Sequence, residues 1–250
     1  QRATAGWLAA LPVFEPHWQV LMSRGLSTGW VEWGDKRYEF VDAPSYSEKN
    51  WGGTFPERWF WLQCNAFEGR ADVAITAGGG RRGLPLLPGV SEDVAMIGVH
   101  FNGTFTSFVP WEGEVSWDVD PWGRWSMKGK ASGYECIVEA TCKPTDGCVL
   151  RAPSAEGLRP LCKDTFFGEL RVRVWDRRNA PSDKPGRVVG DPLLDVTSDL
   201  CGLEVGGGPW WSKWAASSKM AEPFGSLLRL PVPLDTLASI TPVPLRPPGY

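Results

Sequence analysis

The chain has 250 residues, with 26 basic and 29 acidic side chains for a net charge of -3, and is 42% hydrophobic and 22% charged. That length supports one large domain or two lobes with a proper core, and the lack of any basic block excludes nucleic acid as the main partner. No apolar run approaches a membrane span, and the opening QRATAGWLAALPVF is too short and badly flanked for a signal peptide.

Glycine (29) and proline (22) punctuate the whole chain, which suits short strands and turns rather than long helices. In chain order, Trp59–Asn65 alternates Trp59, Trp61, Gln63 and Asn65 on one face with Phe60, Leu62 and Cys64 on the other, the period of a strand. Strands are also expected at Asp72–Thr76, Met96–Phe101, Thr104–Val109, Tyr134–Cys142, Gly168–Trp175 and Leu193–Leu203. Asn102-Gly103 joins two of these as a tight hairpin, which explains the Asn-Gly-Thr sequon on turn chemistry alone. Gly78–Gly80 and Gly206–Gly208 are expected as loops, and Lys213–Glu222 and Leu227–Leu230 as short helices. From Pro231 the chain is expected to run extended along the surface. Two Trp-Asp dipeptides, at Trp117 and Trp175, fit no propeller period. The fold class is therefore all-β, an antiparallel barrel or sandwich, with the barrel favoured. The six cysteines lack metal-type spacing and are expected as reduced, mostly buried thiols.

Common catalytic signatures are absent: there is no nucleophile elbow, no phosphate loop and no zinc spacing. Both histidines, His17 and His100, are expected as half-buried, hydrogen-bonded side chains. Chemistry is concentrated instead where carboxyls meet tryptophans. Trp111–Trp125, WEGEVSWDVDPWGRW, places Glu112, Glu114, Asp118 and Asp120 among four indoles that include Trp117 and Trp122. Such a mixture suits sugar binding or glycoside hydrolysis, or an isoprenoid reaction in which ring faces stabilise a cation, or a core of large residues with solvated carboxylates at strand ends. Tyr46–Asn65, YSEKNWGGTFPERWFWLQCN, is sharper. Extended, it puts Glu48 and Asn50 on one face, and a carboxyl held among Trp51, Trp59 and Trp61 loses hydration and is expected to keep its proton near neutrality. The residues themselves point to an acid in an aromatic pocket and to no particular substrate.

The strings SEKNWGGTFPERWFWLQCNAFEG, ITAGGG, IGVHFNG, FVPWEGEVSWDVDPWGRW, CKDTFFGELRVRVW, LEVGGGPWW and the terminal PPGY resemble the tocopherol cyclase family over essentially the whole chain. The resemblance implies a two-lobed, lipocalin-like β-barrel similar to carotenoid hydratases. Residues 1–45 would be the end of, or connection from, an N-terminal lobe, and residues 46–250 the barrel lobe. It implies a prenyl or phytyl hydroquinone as substrate, a plastid location near lipid globules in plants and algae with a possible lipid-surface association, and no metal or other cofactor. Glu48 would protonate the tail alkene, and Trp51, Trp59 and Trp61 would face the cation. Tyr46, Asn50, Gln63 and Asn65 would hold the hydroquinone, and His100 would take the phenol proton. Asp118 and Asp120, beside Trp117 and Trp122, and then Glu68 are the alternative acids. A non-catalytic carrier of prenyl quinols would share the same cavity.

Overall fold

The computed structural model describes residues 16–52, 55–84, 87–154, 157–178, 190–208, 210, 214–218, 222–228, 230 and 240. The first two strands, β1 (His17–Trp33) and β2 (Lys36–Trp51), form an antiparallel hairpin with a ladder of its own. A second, 11-stranded antiparallel sheet takes up β3 (Arg58–Cys64), β4 (Ala74–Leu84), β5 (Leu87–Phe101), β6 (Thr104–Phe108), β7 (Gly113–Val119), β8 (Arg124–Ala131) and β9 (Tyr134–Thr141). It also takes up β10 (Cys148–Ser154), β11 (Gly157–Asp176), β12 (Leu194–Gly207) and β13 (Trp214–Ser218). Its strand order is β13-β7-β8-β9-β11-β12-β3-β4-β5-β6, with β10 paired to β11 off that path. One short helix, α1 (Phe224–Leu228), follows.

The sheet curls because one face of nearly every strand is apolar and must be buried. Phe60 and Leu62 of β3, Ile97 and Val99 of β5, Trp117 of β7, Trp125 of β8, Val138 of β9, Val172 of β11 and Leu203 of β12 join one core cluster, each at most 2% exposed. The curl brings β5 against β7 and β13, and β6 against β7 and β8, while no ladder joins β6 to β13 among the described residues. This apolar cluster forms the core inside the curl, and the other face of the sheet carries the site.

Asn102 and Gly103 sit at φ 48 and 73 between β5 and β6, the left-handed pair that a two-residue hairpin turn requires. All six cysteines are free, and Cys64, Cys136, Cys162 and Cys201 are buried. Two expectations are corrected. Gly78–Gly80 is not a loop but the middle of β4, paired on both sides to Trp61–Trp59 and Met96–Val94, and Gly206 and Gly207 likewise close β12. Trp214–Ser218, expected as helix, is a strand paired to Val119–Val115 of β7; a sheet edge offering unpaired backbone groups outweighs local helix preference. The other expected helix starts earlier, at Phe224. The proline-rich end, Ile240 aside, lies outside the described residues.

Candidate active site

The alternation of β3 sends Phe60, Leu62 and Cys64 into the core, so Trp59, Trp61 and Gln63 must face outward. Outward does not mean exposed here, because the proximal half of the β1–β2 hairpin lies over this face. Trp59 and Gln63 are each only 7% exposed. Asn65 ties the hairpin down: its Nδ2 donates to the Ser45 carbonyl at 2.7 Å and to the Ser23 carbonyl at 3.4 Å. Asn65→Ala should therefore lower stability by about 1–3 kcal/mol, the cost of leaving such carbonyls without their partner. Urea unfolding checks this, and an unchanged midpoint would mean that the strap carries no load.

Between hairpin, sheet and the β10–β11 hairpin lies a cavity of about 310 Å³, at the lower end of the range usual for ligand pockets, about 300–1,000 Å³. Its walls come from Trp18 and Glu48 of the hairpin, Trp59 and Trp61 of β3, Leu150 and Ala152 of β10, and Glu204 of β12. The glycines of β4 make the room. A Cβ on Gly78 would stand 3.1 Å from the Trp18 ring, so a side chain there would press on that indole.

Glu48 is the most heavily hydrogen-bonded group in the site. Its Oε2 accepts from Trp18 Nε1 at 2.6 Å, Tyr46 Oη at 2.5 Å and Trp61 Nε1 at 3.1 Å, and its Oε1 accepts from Asn50 Nδ2 at 3.3 Å. Burial, followed by the charge and hydrogen bond of Glu48, pushes the Tyr46 phenol well above its ordinary range, so it stays a donor. The second carboxyl, Glu204, accepts from Trp59 Nε1. Burial raises it above the ordinary carboxyl range, with Asp164 and Glu48 adding to the rise, while the Trp59 and Cys162 hydrogen bonds pull it back. Burial likewise pushes up the Cys162 thiol next to it. His17 stacks on Trp51 with centroids 4.8 Å apart and planes 3° from parallel. It is 6% exposed, lines the cavity, and its Nδ1 meets no partner among the described residues.

Of the residues singled out from sequence, Glu48, Asn50, Trp59 and Trp61 line this cavity, and Tyr46 and Trp51 support it through Glu48 and His17. Gln63 lies further along the same face of β3, and Asn65 serves the hairpin. His100 packs on Phe105 at 4.7 Å, held below the usual histidine range by burial and then by Arg24; it is not among the cavity residues. The second tryptophan segment is built differently. Trp117 is 2% exposed in the core against Phe60, and Trp122 meets Trp125 edge-on beneath the Lys163 ammonium. Arg124 bridges Asp118 at 2.8 Å and Asp120 at 3.1 Å. Glu68 lines a separate open groove of about 930 Å³ with Arg24 and Arg171. Sequence reasoning passed over Trp18 and Glu204. The available signal for Glu204 was a lone acid between Leu203 and Val205, ahead of a glycine pair.

Fold and site together describe an all-β protein that holds two carboxyls among indoles in an apolar cavity. Residues 1–207 match the family model described as tocopherol cyclase-like, and the chain belongs to that family. It is 48% identical over its whole length to a probable chloroplastic tocopherol cyclase of Oryza sativa subsp. japonica and 47% identical to the chloroplastic tocopherol cyclase of Zea mays. The chain spans about half, 51%, of the length of each of these relatives. No solved structure matches it.

Proposed function

We propose that this chain carries the catalytic cavity of a tocopherol cyclase, closing a prenyl hydroquinone to a chromanol in a plastid. The observation that carries this reading is the pairing of Glu48 and Glu204 inside one apolar cavity walled by Trp18, Trp59 and Trp61. A carboxylic acid protonates the trisubstituted alkene of the tail. The tertiary cation that results is met by indole faces, and the neighbouring phenol oxygen closes on it to form a six-membered ring. The two curled ends of the sheet that lie against each other support a lipocalin-like barrel for this lobe. His17 Nδ1, buried and unpartnered, suits a hydroquinone hydroxyl, and Leu150 and Ala152 suit the apolar tail. Shielding the cation matters because water would trap it as an alcohol. Association with plastid lipid globules fits such an apolar substrate.

The test is product analysis after incubating the protein, at its full natural length, with a phytyl hydroquinone. Chromanol is expected, and quinol returned unchanged from a protein that binds it would make this a carrier. Asp118→Asn should leave turnover near wild type, since its partner is Arg124 rather than the cavity. Loss of turnover with an intact fold would move the chemistry to the second tryptophan segment.

A further inference from the structure

Two neighbouring indoles on one face of β3 each hold a different carboxyl. Trp61 Nε1 donates to Glu48, on β2, and Trp59 Nε1 donates to Glu204, on β12. Glu204 stands opposite Trp61 on the β12–β3 ladder yet takes its indole bond from Trp59, so each acid has an indole donor of its own. Their surroundings differ in kind. Glu48 is met by four donors, two indoles, a phenol and an amide, and all act on it as an acceptor. Glu204 is met by one indole and by the Cys162 thiol, and shares the cavity with Leu150 and Ala152 of β10. The buried, unpartnered Nδ1 of His17 in the same wall marks the space between them as one that takes a polar ligand group.

We infer that Glu204 is the proton donor of the ring closure and Glu48 its proton acceptor, the two acting from facing elements of one cavity. The assignment rests on the cyclase reading. The Glu204 O–H proton goes to the less substituted alkene carbon; a C–H bond forms as the π bond opens and leaves the tertiary carbon positive. The phenol oxygen supplies the electron pair of the new C–O bond, and its proton passes to Glu48. One proton enters the substrate and one leaves it, so the product is an isomer and neither an oxidant nor a reductant is consumed. Once the product departs, the proton returns from Glu48 to Glu204.

Cys162 and Asp164 from β11 and Glu48 from β2 act on Glu204, and Arg82 from β4, Arg151 from β10 and His17 from β1 line the same cavity. Burial, with Asp164 and Glu48, raises Glu204, so its acid form persists above the ordinary carboxyl range and is lost as pH rises through the shifted value. The donor role thus predicts an alkaline limb in kcat that belongs to Glu204.

The experiment is the kcat–pH profile of the protein at full natural length with a phytyl hydroquinone, for wild type, Glu204→Gln, Glu204→Asp and Glu48→Gln. Quinol binding is followed in parallel by quenching of tryptophan fluorescence. Glu204→Gln should lose about 10²–10⁴-fold in kcat, the usual worth of a general acid, with binding retained. Glu204→Asp should keep measurable turnover with a displaced alkaline limb, which separates a chemical role from a folding defect. Glu48→Gln should lower kcat across the profile and keep the alkaline limb. An alkaline limb that survives Glu204→Gln and vanishes in Glu48→Gln would reverse the two roles while leaving the cyclase reading in place. Wild-type protein that binds quinol and yields no chromanol would sink both.

Discussion

Arg82→Met is expected to cost about 3–5 kcal/mol of folding stability, read as a fall in the urea midpoint with the slope unchanged. The Arg82 side chain is 12% exposed and its partner Glu92 is 6% exposed, and Arg82 Nε donates to Glu92 Oε1 at 2.9 Å across the β4–β5 ladder. Both groups have been taken out of water, and burial pulls the guanidinium below its ordinary range while Glu92 pushes it back up. Removing the cation alone leaves the Glu92 carboxylate with its desolvation cost and without its main return. Arg82→Met with Glu92→Leu should recover most of the loss, because well-packed apolar replacements of a buried pair are often neutral. A single-variant cost below about 1 kcal/mol would show that water reaches the pair. Arg82 also lines the cavity.

What could be read from sequence follows from which interactions are local. β3 was legible because its alternation, Trp59 to Cys64, is the direct image of one face packing on the core and the other facing the hairpin. The Asn102-Gly103 turn was legible because two successive positive φ angles restrict residue choice within a dipeptide. β1 and β2 were not, since their distal halves bury little. Leu26, Trp33 and Val41 are 68%, 80% and 76% exposed, so no periodicity is imposed on them. Gly78–Gly80 misled because glycine has two uses. Here it serves close approach of Trp18 and of neighbouring backbone rather than chain reversal. Glu48 and its indoles were found as a contiguous string, whereas Glu204 lies 145 residues beyond Trp59, the donor that holds it. No local pattern reports a contact made across a sheet.

The same distance explains the misplaced weight on the second tryptophan segment. Composition makes Trp111–Trp125 and Tyr46–Asn65 look alike, with indoles beside carboxyls in both. Strand direction separates them. In β7, Trp117 points into the core and Asp118 away from it, where Arg124 neutralises it. In β2 and β3 the carboxyl and the indoles converge, because two different sheets face each other. A cavity of this kind needs two surfaces, and the large sheet supplies one of them with the outward face of β3. The separate β1–β2 hairpin supplies the second surface.

Gly206→Val should then remove about two orders of magnitude from the rate of chromanol formation while the chain still folds. A Cβ at Gly206 would lie 2.2 Å from Cζ2 of Trp59, far inside contact distance. The indole's room to move is toward the cavity, since Phe55 packs on it at 4.7 Å and Ala152 and Cys162 belong to the same cluster. It must tilt, and its N–H then leaves Glu204. Overpacking of this sort costs about 1–3 kcal/mol of stability, which a domain of this size survives. A displacement of about 1 Å at a positioning group, by contrast, costs on the order of 10²-fold in rate. Combining Gly206→Val with Trp59→Phe separates the two effects. The smaller ring relieves the clash and should restore the melting temperature, but it carries no N–H, so the rate should stay low. Recovery of both stability and rate in that double variant would show that Trp59 only fills space, and that Glu204 needs no indole to hold it.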